Sequence, residues 1–485
     1  MTETKPAPYP TIDLSPCDGP LSCFKVKQSR EILNLALPTV LAMLSHTLMW
    51  TFDTALLGHY SSVHLAAASL GGLITWTAYS LFNNLARING TFVSQAHGKN
   101  DDEAIGGYTW QGIYVSVACG LILQLAGYLS YHVLPWTHNP PEVVDLAYDY
   151  IKWRSASAVF TIVGFCLMGF FQGRRQVMIP MWAGIIANGA NVILDFWLIY
   201  GWEGFEAFGR TWLAVRPMGV EGAAIATSLG TLLGLLYQVV MLFGPREHRR
   251  RFQIHRPRAV DWQQIKRIVK VGSPAAVENF IDMGSFTVFC VFIGTTGATA
   301  LAANQITVHL LSFAFMPMWG LTTAGAVLVG NWIGAGRHDQ AAAYARQVYK
   351  VGLYYMTVLG LLFLAFRPHL FKVFTNDPAV LALGPGLVMI IALFQFPDGM
   401  RMVAVGLLQG AGDTLYSMLA CGLVFVLGFV PMSYWLIIKQ GASVPTAWLG
   451  ASIFYGLVSV ILYMRFRSGA WKTKKIFGDE VTTES

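Results

Sequence analysis

Long apolar runs separated by short polar punctuation fill the chain from about residue 33 to residue 464. A helix needs about 20 mostly apolar residues to cross the hydrocarbon core of a bilayer. Windows of that length fall at 33–57, 65–90, 107–134, 146–172, 177–200 and 219–243, then at 268–294, 301–330, 343–366, 379–409, 414–438 and 445–464. Between them lie segments such as His97-Gly98-Lys99-Asn100-Asp101-Asp102, Asn139-Pro140-Pro141 and Asn376-Asp377-Pro378, rich in turn and cap residues. Strands of a membrane barrel would alternate in polarity over about ten residues. These runs are too long and too uniformly apolar for that. The predicted fold is an all-α integral membrane protein of about twelve transmembrane helices.

The pattern also repeats. At an offset of 236, Pro38 pairs with Pro274, Gly58 with Gly294, Leu65-Ala66-Ala67 with Leu301-Ala302-Ala303, Val93 with Val329 and Gly98 with Gly334. Further on, Gly169-Phe170-Phe171-Gln172-Gly173 matches Gly406-Leu407-Leu408-Gln409-Gly410 at 237. Six spans per half is an even number, so the halves share one orientation. They are expected to form two six-helix lobes related by a pseudo-twofold axis along the membrane normal, a plan known among transporters. The organisation read from the chain is a disordered cytoplasmic tail 1–28, a first lobe 29–243, a basic linker 244–267, a second lobe 268–466 and a cytoplasmic tail 467–485.

Composition narrows the class. Of 485 residues, 54% are hydrophobic and 12% charged, about half the charge content of soluble domains. A disordered chain and a soluble multidomain enzyme are both excluded. Cys17, Cys23, Cys119, Cys166, Cys290 and Cys421 form no disulfide or zinc pattern. Lys and Arg explain the net charge of +7. Most fall in the N-terminal tail, at Lys99, Arg174, Arg175, Arg337 and Arg346, in the stretch 244–270 and in the C-terminal tail. All of these lie on one side of the membrane if both termini are cytoplasmic, as the positive-inside rule requires. The Arg249-Arg250-Arg251 run therefore reads as topology and attraction to lipid headgroups, with no nucleic-acid partner. Residues 1–28 lack the apolar stretch of a signal peptide.

Charges at membrane depth cost several kcal/mol and are functional suspects by default. Five acids qualify: Asp53, Asp195, Glu278, Asp282 and Asp398. Asn191 lies one turn before Asp195, on the same helical face. With Asp53 and Thr227 they form a candidate oxygen cluster suited to Na⁺, or to a proton held on a buried carboxylate. Glu278 and Asp282 also share a face, and with Asp398 they give the second lobe an acidic lining suited to organic cations. Arg401, three residues beyond Asp398, is placed to pair with it. Arg87 is expected to snorkel to headgroups, and His46 and His309 to pack. The sequon Asn89-Gly90-Thr91 falls at a cytoplasmic helix end and reads as chance. No nucleotide-binding or catalytic motif is present, so an ion gradient is the economical drive, and the chain reads as no enzyme.

Phe52-Asp53-Thr54 with Gly58-His59, and Val93-Ser94-Gln95-Ala96-His97-Gly98, resemble signatures of the multidrug and toxic compound extrusion (MATE) family, particularly its DinF-like branch. The stretch Asn191-Val192-Ile193-Leu194-Asp195 and Gly219 to Thr227 are similar to that branch's fifth and sixth spans. In the second half, Ala302-Ala303-Asn304-Gln305 and Gln409-Gly410-Ala411-Gly412-Asp413-Thr414 carry the likeness. It implies Na⁺- or H⁺-coupled export of varied, often cationic, amphipathic small molecules, with no cofactor. By position, Asp53, Asn191, Asp195 and Thr227 match that family's first-lobe cation site. Asp282 and Asp398 fall where the NorM-like branch carries a seventh-span Glu and a tenth-span Asp. The pattern is mixed: Asp stands in place of that Glu, Glu278 is extra, and the loop 201–218 is long. The implied protein is a monomer of the plasma (inner) membrane in contact with its lipids. A flippase for lipid-linked saccharides would want a cationic cavity, an intramembrane enzyme a nucleophile or metal constellation, and a channel a filter sequence.

Overall fold

A computed structural model describes residues 26–132, 134–137, 140–201, 205–207, 210–212, 216–474 and 476–477. Most of the two expected tails, and parts of the segments around Asn139 and within 201–218, lie outside the described residues. Eleven described helices are long and apolar enough to cross a membrane, and a bent pair makes a twelfth span. They are α1 (Gln28–Tyr60), α2 (Ser62–Lys99), α3 (Asp102–His132), α4 (Pro141–Ala156 and Ala158–Gly173, bent by 48°), α5 (Met178–Tyr200) and α6 (Val220–Phe243). The second half has α7 (Trp262–Gly294), α8 (Thr299–Gly334), α9 (His338–Ala365), α10 (Pro378–Ala411), α11 (Thr414–Lys439) and α12 (Val444–Arg467). Strands β1 (Phe205–Ala207) and β2 (Arg210–Trp212) pair antiparallel in the long 201–218 segment. Among the described residues the remaining regular structure is helical.

Local chemistry sets the ends of these helices. Asn100 adopts the left-handed region at φ 58° and closes α2. The next residue, Asp101, caps α3 by accepting a hydrogen bond from the Ala104 amide at 2.8 Å, so two residues reverse the chain. Asp261 caps α7 by accepting from the amides of Gln263 and Gln264. Asp377, followed by Pro378 in the first turn, caps α10. The punctuation read from the sequence consists largely of these caps.

The two halves pack alike. Helix α2 packs on α4 as α8 does on α10, α3 on α4 as α9 does on α10, and α1 on α5 as α7 does on α11. Across the halves, α1 packs on α8, α7 packs on α2, and α2 packs on α8. This is the two-lobe arrangement expected from the repeat. The pseudo-twofold axis can be located residue by residue. Two repeat-related residues that touch one another must straddle it. Arg87 and Thr323 do so, Nη2 donating to Oγ1 at 3.3 Å across a separation of 236. Ser94 and Gly330 do so again, since a Cβ on Gly330 would lie 2.2 Å from the Ser94 hydroxyl. Seven residues, about 10 Å of helix, separate the two points.

Near the end that carries the basic linker, the lobes close on one another. Gly98 abuts the Asn331 carbonyl and Gly334 abuts the Gln95 carbonyl, each leaving 1.9 Å for an added Cβ. Gln95 Nε2 donates to Gly410 O at 3.0 Å, and its repeat partner Asn331 donates through Nδ2 to Gly173 O at 3.1 Å and Ser94 O at 2.8 Å. Arg175 donates to Asn331 Oδ1 at 2.7 Å and to Glu31 at 2.5 Å, and the Tyr344 hydroxyl also bonds Glu31. Only glycine permits so close a backbone approach.

Two expectations need correction here. The second span does not end at residue 90: it runs to Lys99, because its polar residues are buried, Asn89 against Gly112 of its own lobe and Thr91, Ser94 and Gln95 against the opposite lobe. Arg87 is consequently about 18 Å of helix from that end and does not snorkel; it faces the space between the lobes. The fourth span likewise starts at Pro141 and not at residue 146, so Arg154 lies well inside it, just before the bend.

Candidate functional site

Helices α1, α5 and α6 bring the first-lobe residues together. Asp195 is fully buried, and Asn191 lies one turn earlier on the same face, with 1% of its surface exposed. Asn191 Nδ2 donates to Thr227 Oγ1 at 3.3 Å, and Thr227 itself donates to Ala223 O at 2.8 Å. That geometry turns Asn191 Oδ1 away from Thr227. Both oxygens of Asp195, Oδ1 of Asp53 and Oδ1 of Asn191 are buried, and no donor among the described residues reaches them. The carboxyl groups of Asp53 and Asp195 are neighbours, close enough to share a proton. Asn188, a further turn back, is occupied with Ser45 at 2.7 Å.

Four orphaned oxygens in one buried place are costly unless something positive satisfies them. Among the described residues no arginine or lysine forms an ion pair with Asp53 or Asp195. Arg154 is the cation whose field reaches Asp53. Its Nη1 is buried without a hydrogen-bond partner, and its guanidinium sits 5.8 Å from the Tyr79 ring. His46 is close by, against Trp76 at 6.3 Å between ring centres; in the other lobe His309 stacks on Phe374.

The second-lobe acids are arranged differently. Glu278 and Asp282 of α7 and Asp398 of α10 converge on Arg401, which is 3% exposed. Arg401 donates to Asp398 Oδ1 through Nε at 3.2 Å and Nη2 at 2.8 Å. Its Nη2 also lies 3.1 Å from Asp282 Oδ2, and its Nη1 3.9 Å from Glu278 Oε1. The rings of Tyr455 and Phe425 cover the guanidinium at 5.2 and 5.7 Å. The pair Asp398–Arg401 foreseen from the i, i+3 spacing is one edge of this larger cluster. The three acids thus surround a fixed cation, which the expectation of a plain acidic lining did not include.

A cavity of about 130 Å³ opens between the lobes. Glu278, Asp282 and Arg401 line it from the second lobe, Arg87 lines it from α2, and Trp319 and Thr323 from α8. The first-lobe oxygens lie outside this lining. The molecule therefore has two separate polar centres at membrane depth: a space between lobes large enough to admit part of an organic molecule, and a compact oxygen cluster within one lobe. Arg87, Arg154 and Trp319 were not assigned to a site by sequence reasoning. The signal for Arg87 lay in the repeat itself, where Thr323 stands at the matching position.

The MatE family model matches the chain twice, at residues 38–197 and 274–435. The two matches start at Pro38 and Pro274, the residues that open the internal repeat. A probable multidrug resistance protein NorM of Thermotoga maritima is 26% identical over 460 residues, covering 94% of this chain and 96% of that protein. A multidrug resistance protein NorM of Burkholderia vietnamiensis is 29% identical over 444 residues, covering 90% and 93%. Among solved structures, the crystal structure of MATE in the straight conformation superposes with a TM-score of 0.80 at 18% identity, covering 91% of this chain and 97% of that one. These relatives carry the NorM name, and the DinF-like likeness remains one of motifs. A multi-pass helical protein with two equivalent lobes, a cavity between them and both halves matched by one family model, the chain belongs to the MATE family.

Proposed function

We propose that this protein is a cation-coupled antiporter that exports organic, often cationic and amphipathic, compounds across the inner membrane; its NorM relatives are named multidrug resistance proteins. The observation that carries the reading is the unpartnered oxygen cluster of Asp53, Asn191 and Asp195. Two carboxyl groups side by side without a donor are satisfied by a proton or by a small cation, and either can come and go. Thr227 completes the oxygen set if that ion is Na⁺. The ion is here a transported co-substrate, and no cofactor is invoked.

The organic substrate occupies the cavity between the lobes, near Glu278, Asp282 and Asp398. Coupling requires that ion and substrate each favour a different conformation. The contacts at Gly98, Gly334, Gln95 and Asn331 supply the element to be switched, since they must part before the cavity opens at the linker end. With both termini and the linker in the cytoplasm, the conformation described is closed on the cytoplasmic side. The protein is read as a monomer among lipids.

A flippase for a lipid-linked saccharide fits less well. Its pyrophosphate wants a cationic cavity, whereas here Glu278 and Asp282 line the cavity and Arg401 is held by three carboxylates. The test is efflux of a fluorescent cation from cells carrying the wild type, Asp53→Asn or Asp195→Asn. Loss of efflux in both variants at normal membrane abundance supports the reading. Undiminished efflux would remove both residues from the mechanism.

A further inference from the structure

Among the described residues Arg87 has no carboxylate partner. It donates one hydrogen bond, to Thr323 at 3.3 Å, and its guanidinium lies 5.2 Å from the centre of the Trp319 ring. Among the described residues no Asp or Glu approaches it within ion-pair distance. Arg401, the other guanidinium lining the same cavity, has three. A guanidinium presents five donors, and one threonine hydroxyl leaves most of them directed at the cavity. Holding such a charge at membrane depth without a counterion is costly, so a structural purpose would ordinarily be served by a neutral side chain. Thr323, in the equivalent position of the second half, is one.

Position adds a second argument. Because Arg87 and Thr323 meet across the pseudo-twofold axis, the cation lines the cavity on that axis and belongs to neither wall alone. The acids Glu278 and Asp282 occupy the second-lobe wall of the same space. The cavity therefore has a cationic pole contributed by α2 and an acidic pole contributed by α7.

We propose that Arg87 is an anion-recognition point of the substrate cavity, and that the compounds held best carry a carboxylate together with a positive group. The carboxylate takes the donors of Arg87, with Thr323 beside it, while the Trp319 face packs against the ligand's apolar body. The positive group is directed to Glu278 and Asp282. Such a ligand spans both lobes, and their separation at the axis pulls its two contacts apart. This inference rests on the cavity being the substrate site, as proposed above.

The experiment uses a matched dye pair, rhodamine B, a zwitterion at neutral pH, and its ethyl ester, a cation of the same skeleton. Binding to the purified full-length protein is followed by fluorescence polarisation. Charge-assisted bonds in a desolvated site predict that Arg87→Gln weakens rhodamine B about tenfold or more while changing the ester less than about twofold. Arg87→Lys keeps part of the discrimination. The double variant R87T with T323R returns a guanidinium to the axis from the other lobe and restores it, which separates recognition from a folding defect. Equal weakening of both dyes, no change in either, or failure of the double variant to recover rhodamine B binding would overturn the assignment. If the wild type binds neither dye, the cavity is not the substrate site, and the reading beneath this inference fails with it.

Discussion

Two groups of acids lie at membrane depth in this protein, and they are built to opposite rules. In the second lobe, Glu278, Asp282 and Asp398 enclose Arg401, a cation covalently part of the protein and roofed by Tyr455 and Phe425. In the first, Asp53, Asn191 and Asp195 present oxygen atoms that no donor reaches. The second-lobe arrangement already holds a cation of its own, although one guanidinium balances only one of its three carboxylates. The first-lobe arrangement is complete only when a mobile positive charge arrives. Residue type alone would give both clusters the same role; their partners separate them. In the function proposed above, one is a charged wall of the substrate cavity and the other a site for an ion that exchanges.

That contrast predicts opposite responses to mutation. The largest effect on stability is expected from Arg401→Ala, which strands three buried carboxylates and should destabilise the fold by about 3–5 kcal/mol. The measurement is the thermal unfolding midpoint of detergent-purified protein. A midpoint within a degree or two of the wild type would mean that Arg401 is no counterion. Asp195→Asn should do the reverse: gradient-driven transport falls about tenfold or more, while stability holds or rises because a buried, unpartnered charge is gone. A large loss of stability without loss of transport would merge the two clusters into one structural class.

Smaller effects sharpen the comparison. Asp398→Asn removes one of three carboxylates around Arg401 but leaves two, so the cost should be about 1–2 kcal/mol, well short of that of Arg401→Ala. A cost equal to Arg401→Ala would show that Asp398 alone holds the cation. Thr227→Val removes the acceptor of Asn191, worth about 0.5–1.5 kcal/mol. If the exchanging ion is Na⁺, its apparent affinity in transport assays falls in this variant; if it is H⁺, the concentration dependence on Na⁺ stays flat.

Much of the fold was legible because the bilayer imposes it. Apolar run lengths fix twelve spans, and glycine, proline and small-residue matches at an offset of 236 fix the two lobes. The failures have one cause. Asn89, Thr91, Ser94 and Gln95 read as an exit from the membrane because hydropathy drops there, yet all four are buried, and Thr91 and Gln95 hydrogen-bond across the lobe interface to the Gln409 and Gly410 carbonyls. Arg87 was assigned to headgroups for the same reason. Hydropathy reports how wet a segment would like to be, not which neighbour satisfies it. The start of the fourth span was misplaced because the bend between Ala156 and Ala158 lets one span begin five residues earlier than its apolar run.

The candidate sites were legible as residues and not as environments. The i, i+4 spacing placed Asn191 beside Asp195, and the i, i+3 spacing placed Arg401 beside Asp398. Neither spacing could reveal that Arg401 also gathers Glu278 and Asp282 from α7, or that no cation pairs with Asp195. Those facts depend on which helices pack, and only the three-dimensional arrangement supplies them. The repeat carried one further signal, the departure of Arg87 from Thr323, which gains meaning once both are found on the axis.

The central claim is that the first-lobe oxygens bind the ion that drives export. Proteoliposomes holding the wild type or Asp195→Asn, loaded with a fluorescent organic cation and given separately imposed Na⁺ and H⁺ gradients, test it most directly. The account predicts that one inwardly directed gradient accelerates dye exit in the wild type and that the acceleration disappears in the variant while dye binding persists. Gradient-driven exit of equal size in both proteins would contradict it.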